Sequence, residues 1–340
     1  MGDFFIFTLF TAVTMVFMTK LAIVLSKRWN FYDFPKDRNI HKAPTPLLGG
    51  MALILTMTLN MLLVSPWELN TFTIGLFGAI GIFVMGIIDD RLILSPFTKL
   101  FFQIALVSLL FFNGIKIEFI TLPSGMSPLF FSDVTSFFVT QFWMLLIINM
   151  FNIIDGIDGL AVGISFLTAI VLFFVSLSVS PLIITYLLCA IIGSTGVFLK
   201  FNFFPARIFL GDSGSLLLGY LFGIISILGV LKSTISFLVL IFIFAIPLMD
   251  VLLSILRRII KRKSIFYPDL DHMHHQLVKR GLSIRKTTLI LYFISGVFGL
   301  IAILSSSNSN RFKIGIGIFL FVGVLVFFFL MQFSNKESIQ

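Results

Sequence analysis

Charge is scarce in this sequence. Asp, Glu, Lys and Arg make up 11% of its 340 residues, where a soluble domain carries about 25%, so a water-soluble fold is excluded. Cys189 is the only cysteine, which rules out an intramolecular disulfide and a cysteine cluster for zinc and argues against redox chemistry. The short segments of alternating polarity that a membrane β-barrel needs are missing. No repeat period and no separable soluble domain stand out; the longest polar stretch runs only from Arg257 to Lys286. No basic residue precedes the first apolar run, where Asp3 stands alone, so that run is expected to be a retained helix rather than a cleaved leader.

What is present is apolar sequence, 58% of the chain. Crossing a hydrocarbon core of about 30 Å takes about 20 apolar residues in a helix. Such runs cover 4–25, 47–64, 72–88, 98–112, 134–148, 160–179, 182–199, 216–231, 235–256, 287–304 and 312–333. They predict an all-α, polytopic integral membrane protein with about 10 to 11 transmembrane helices. Residues 1–340 are expected to form one membrane-embedded domain. The fifth run is shorter than a full crossing.

With the amino terminus outside, most of the 24 Lys and Arg residues fall on the cytoplasmic loops, as the positive-inside rule requires. A multi-pass protein is expected, with this charged face toward the cytoplasm. Anchoring to anionic headgroups accounts for Arg257, Arg258, Lys261, Arg262 and Lys263. The rule does not govern acids, yet most of the 15 Asp and Glu residues and all four His gather on the same face. Ionisable groups in or beside membrane helices point to function, because burying them is costly. The outer loop from Gly114 to Asp133 reads as a small hairpin without chemistry.

Four segments carry that chemistry. Asp89 and Asp90 end the third span, and negative charge at a helix carboxyl end opposes the macrodipole, so capping does not explain them. Adjacent helical residues project about 100° apart, so one can face a substrate while the other takes a different partner. Asn149, Asn152, Asp155 and Asp158 recur every third position, which on a helix makes a polar ribbon. The alternation of acids with Gly156 and Gly159 matches a calcium loop, but that motif's bidentate Glu is missing, and a substrate or magnesium surface fits better. The turn Gly211-Asp212-Ser213-Gly214 offers amides to phosphate and a carboxylate to a metal, or else an ordinary N-cap. In Asp269-Leu-Asp271-His272-Met-His274-His275, contact with phosphate is favoured over zinc, since the helical spacings HxxxH and HExxH are not there.

In this order, together with Asp33-Phe-Pro35-Lys-Asp-Arg38-Asn-Ile-His41-Lys-Ala-Pro44-Thr-Pro46-Leu-Leu-Gly49-Gly50, the segments resemble the polyprenyl-phosphate N-acetylhexosamine-1-phosphate transferases of glycosyltransferase family 4. The likeness is to the undecaprenyl-phosphate GlcNAc-1-phosphate transferase branch. It covers most of the chain, from Asp33 to His275. It implies a UDP-N-acetylhexosamine donor, an undecaprenyl phosphate acceptor, Mg2+ with Mn2+ as a substitute, UMP release and a homodimer. It also implies roles: Asp89 and Asp90 catalytic beside the reacting phosphates, Lys99 on the diphosphate, and Asp212 with Asn152 at the metal. Phe209 would stack on uracil, with Asp155, Gly156 and Asp158 in the substrate pocket and His272, His274 and His275 on phosphates. The related phospho-MurNAc-pentapeptide transferases carry three consecutive histidines where this chain has His-Met-His-His, which disfavours that substrate.

A transporter is the main alternative. Transporters place substrate groups near the midplane, often in paired repeats, whereas these acids cluster at one face; Asp250, three residues after Pro247, is the exception inside a span. A scaffold role leaves the motifs unexplained. Nucleic-acid binding is excluded, because the basic residues are scattered over loops with no base-reading fold.

Overall fold

The computed structural model describes residues 1–34, 44–64, 71–121, 127–177, 181–231, 237–262, 271–306 and 311–333. Residues 35–43 of the amino-terminal motif, and Lys263 and Asp269, lie outside the described residues. The chain is an all-α membrane protein. Its helices are α1 (Gly2–Arg28), α2 (Gly49–Val64), α3 (Thr71–Leu92), α4 (Pro96–Phe112), α5 (Asp133–Ile153), α6 (Leu160–Ser176), α7 (Leu182–Asn202), α8 (Gly211–Ile225), α9 (Phe237–Ile243), α10 (Ala245–Ile260), α11 (Met273–Lys279), α12 (Ile284–Ser306) and α13 (Arg311–Phe333). A π-helical turn, Ser226–Leu231, prolongs α8. Among the described residues six helices are long and apolar enough to cross a bilayer, seven if the bent pair α9 and α10 counts as one span.

The first helix is apolar outward and mostly small or polar inward, the reverse of a helix in a soluble bundle. On α1, Phe5, Leu9, Val13, Phe17 and Val24 are exposed while Thr11, Thr14, Thr19 and Ser26 are buried. Lipid is as apolar as leucine, so helix association relies on close packing and interhelical hydrogen bonds. Thr11, accordingly, donates to the Asn60 side chain of α2 at 3.3 Å.

At the centre stands α8, buried at every residue except Asp212 and packed against α2, α3 and α5. Glycines admit these neighbours: a Cβ on Gly86 of α3 would collide with the Ser213 backbone. One on Gly50 of α2 would lie 2.5 Å from the Gly214 nitrogen.

Two antiparallel pairs accompany the helices. Strand β1 (Tyr32–Asp33) pairs with β2 (Thr45–Pro46), and β3 (Phe119–Ile120) with β4 (Leu129–Phe130). The second is the hairpin expected between Gly114 and Asp133.

Two spans differ from expectation. The fifth run is not short: Ser132 caps α5, which continues for 21 residues to Ile153. Its late polar residues do not end it because their side chains find partners on α4 and α8. The ninth run is not one helix, since α9 and α10 meet at 85°. Pro247 lies in the first turn of α10, where its missing N–H costs nothing.

Candidate active site

The end of α3, the start of α4, the α5–α6 turn and the loop from α7 into α8 enclose a cavity of about 600 Å3. Asp89, Asp90, Lys99 and Asp212 line it, as do Asp155, Gly156, Asp158, Phe209 and His275. Nine of the twelve expected site residues therefore share one space; Asn152, His272 and His274 stand outside its lining.

The two adjacent carboxylates of α3 part as their helical positions require. Asp89 is buried. One of its oxygens accepts the Leu94 amide at 2.7 Å, and the other lies 2.6 Å from Lys99 Nζ. Lys99 also reaches Asp212 Oδ2 at 3.3 Å, so one ammonium bridges two carboxylates from different helices. Asp90 turns the other way: Oδ1 accepts the Asp212 amide at 2.8 Å and Oδ2 the Ser213 amide at 3.2 Å. It caps the amino end of α8, where free amides and the helix dipole favour a negative charge. The Gly-Asp-Ser-Gly turn thus gives these two amides to Asp90 instead of offering them to a phosphate.

Asn152 donates to Asp212 Oδ1 at 2.9 Å and to Ser215 Oγ at 3.0 Å. In this arrangement it orients the carboxylate through its amide nitrogen. Asn149 faces away and pairs with Gln103 of α4. The expected helical ribbon stops at Ile153, so Asp155 and Asp158 sit on a turn. Gly159 closes that turn with φ +79°, a left-handed conformation open to glycine at little cost.

The turn is tied to the α7–α8 loop. Asp158 Oδ2 accepts the Ala206 amide at 2.9 Å, while Asn202 accepts from Gly159 N at 3.2 Å and donates to the Ile208 carbonyl at 3.0 Å. Asn202 also lines the cavity. Sequence reasoning gave it no role, although an Asn closing an apolar helix was the available signal. The β2–α2 segment fixes Phe209, whose amide bonds the Pro46 carbonyl at 2.8 Å and whose carbonyl accepts Gly49 N at 3.1 Å.

Burial, reinforced by the charges of Asp212, Asp90 and Asp158, holds the Asp155 carboxyl well above the ordinary carboxylate range.

The histidines divide. His275 faces the cavity, whereas His272 and His274 are buried against Asp250, whose Oδ2 lies 3.2 Å from His272 Nδ1 and 4.0 Å from His274 Nδ1. Asp250 Oδ1 accepts the Met273 amide at 2.8 Å. The buried acid of α10 therefore anchors the amino end of α11. Burial pushes the His274 imidazole down to about 3 and also lowers His275, with His272 adding to the effect. Lys279 holds Asp271 below the usual range through a hydrogen bond. Among the basic residues expected to anchor to headgroups, Arg257 is instead buried.

The donor set is oxygen-rich and suits a hard cation. Among the described residues no three carboxylate, imidazole or thiol groups converge to hold a metal alone. Magnesium is usually bound by one or two carboxylates together with substrate phosphates, and Asp89 and Asp212, joined through Lys99, would supply two.

A multi-pass helical membrane protein with a carboxylate-lined cavity against one central helix is thereby defined. The profile of glycosyl transferase family 4 matches residues 72–230. A probable undecaprenyl-phosphate N-acetylglucosaminyl 1-phosphate transferase of Bacillus subtilis (strain 168) is 33% identical over 87% of this chain and 83% of its own length. The undecaprenyl-phosphate alpha-N-acetylglucosaminyl 1-phosphate transferase of Thermotoga maritima is 32% identical over 86% and 88%. A phospho-N-acetylmuramoyl-pentapeptide-transferase of Borreliella burgdorferi (strain ZS7) is 29% identical over 80% and 84%. The chain belongs to glycosyl transferase family 4 and is a transferase.

Proposed function

We propose that this protein transfers an N-acetylhexosamine-1-phosphate from a UDP-sugar to undecaprenyl phosphate, releasing UMP, as the first step of a cell-surface glycan of the O-antigen, capsule or teichoic-acid type. The observation that carries the reading is the ammonium of Lys99 held between Asp89 and Asp212 in the cavity. The relatives' N-acetylglucosamine substrate makes GlcNAc the first candidate sugar.

The lining sets a charge problem. Asp89, Asp90, Asp155, Asp158 and Asp212 face the cavity, and among the described residues Lys99 is the only Lys or Arg in its lining. Such a space repels a nucleotide diphosphate unless a cation comes with it. Asp212, oriented by Asn152, and Asp89 would hold Mg2+, with Mn2+ as a substitute. When bound, the metal neutralises the donor diphosphate and the charge growing on departing UMP.

The chain's own groups do the rest. Asp90 fixes the start of α8 and with it the direction of Asp212. Lys99 moves from the carboxylates onto the diphosphate and leaves Asp89 beside the reacting phosphates, where the acceptor attacks the β-phosphorus in line. A phosphate monoester has its second pKa at about 6, so the acceptor is largely dianionic and needs little help from a base. Positioning and electrostatics supply most of the rate. Phe209 stacks on uracil beside Gly156 and Asp158, and Asp155 and His275 take substrate contacts. His272 and His274 hold the loop that presents His275.

The protein crosses the membrane eleven times. The six long helices, the broken pair and the shorter apolar helices at 49–64, 96–112, 160–176 and 315–330 supply the crossings. The site opens to the cytoplasm, and a homodimer is the expected assembly.

The test is radiolabel transfer from a panel of UDP-N-acetylhexosamines to undecaprenyl phosphate by purified protein, with and without Mg2+. Metal-dependent lipid labelling with UMP release supports the reading and names the sugar. Folded protein that labels lipid with no donor overturns it.

A further inference from the structure

The loop that carries Phe209 also borders a second cavity, of about 500 Å3, and none of this cavity's lining residues belongs to the first. It lies where α7 ends and α12 begins. Lys200 comes from the last turn of α7, Arg285 from the first turn of α12 and Arg207 from the loop between α7 and α8. Phe203, Phe204 and Leu199 supply its apolar lining.

Three cations therefore border this cavity. Among the described residues none of them forms an ion pair with a carboxylate, unlike Lys99, Lys116, Lys261 and Lys279. Arg285 Nε donates to the Phe204 carbonyl at 3.3 Å, which tethers the guanidinium to the cavity wall and leaves its other N–H groups for a ligand. Like charges gathered in this way repel one another, and an anion relieves the repulsion.

We infer that this cavity binds the phosphate headgroup of an anionic phospholipid. Two of its cations sit at the ends of spanning helices, where headgroups lie, and basic pockets between membrane helices are suited to such lipids. The apolar wall of Leu199, Phe203 and Phe204 fits the glycerol and upper acyl region, which a soluble anion has no use for. The loop is bonded to the catalytic side through Asp158 and the Ala206 amide. A bound headgroup therefore also steadies the segment that presents Phe209.

The experiment is native mass spectrometry of full-length, delipidated protein with phosphatidylglycerol, phosphatidylcholine or inorganic phosphate. It needs no donor sugar, so its outcome is separate from that of the transfer reaction. Wild type is expected to retain phosphatidylglycerol over phosphatidylcholine. Each cation near an anionic surface contributes about fivefold in affinity. Arg207→Gln should therefore weaken phosphatidylglycerol about fivefold, and the Lys200→Gln, Arg207→Gln, Arg285→Gln triple variant on the order of 100-fold. Arg285→Lys, which keeps the charge, should retain most of the binding; if the triple variant aggregates, the Arg207→Gln and Arg285→Lys pair decides. Equal retention of the two lipids by wild type, unchanged phosphatidylglycerol binding in Arg207→Gln, or displacement of the lipid by millimolar inorganic phosphate overturns the inference.

Discussion

Asp90, at the end of α3, accepts the backbone amides of Asp212 and Ser213 at the start of α8, so one carboxylate decides where another points. Replacing it with Asn leaves one oxygen and turns an NH2 group toward an amide that also donates. Asp90→Asn should lose about 1–2 kcal/mol, the scale of a helix cap. Turnover should fall about 100-fold, the scale of a small misplacement at a reacting centre. A melting curve beside a rate measurement checks both. Lost turnover at unchanged melting temperature would put Asp90 on the substrate instead.

Asp212 and Asn152 should differ in kind. With the carboxylate gone, Asp212→Asn is expected to stay inactive at any Mg2+ concentration. Asn152→Ala removes only the group that orients Asp212, so it should recover turnover at about 10–100-fold more Mg2+, as when outer partners of metal ligands are lost. Magnesium titrations of the two variants separate the roles. Equal failure at saturating metal would make Asn152 a ligand in its own right.

The buried His274 makes stability depend on pH. Its folded pKa, down at about 3, lies below the unfolded value near 6.5. Below about pH 6.5 the unfolded chain takes up a proton that the folded one refuses, so stability is full above that pH and lost as pH falls. Between pH 7 and pH 5 the loss is about 2 kcal/mol, and His275 acts in the same direction. The melting temperature of wild type should fall over this range and that of His274→Gln should fall less. Parallel curves would remove His274 as the cause.

The apolar runs were legible because lipid imposes one rule along the whole chain, and among the described residues each run falls largely on helix, the ninth on two. Asn149 and Asn152 concealed the true length of α5, since a polar residue near a membrane helix end reads as a stop until its partner is known. The 85° bend between α9 and α10 was not legible in the run 235–256, and Pro247 does not mark it, because proline is tolerated in a first turn. Adjacency alone showed that Asp89 and Asp90 part, but only the fold could supply Asp90's partner 122 residues away. The separation of His275 from His272 and His274 depends on Asp250, which the sequence placed in a span without saying what it meets.

Asp250 offers the sharpest test of how that loop is held. It does not line the cavity, and it meets the histidine segment through the Met273 amide and His272. Asp250→Ala leaves a buried amide without its acceptor, a loss of about 1–3 kcal/mol, and releases the start of α11, so turnover should fall even though no substrate contact is removed. If the loss runs through His272, then His272→Asn in the Asp250→Ala background should cost little beyond Asp250→Ala alone, because neighbours that share one contact are not additive. A double-mutant cycle on turnover measures this. Fully additive losses would mean that the acid and the imidazole act independently, with Asp250 supporting α11 through the Met273 amide alone.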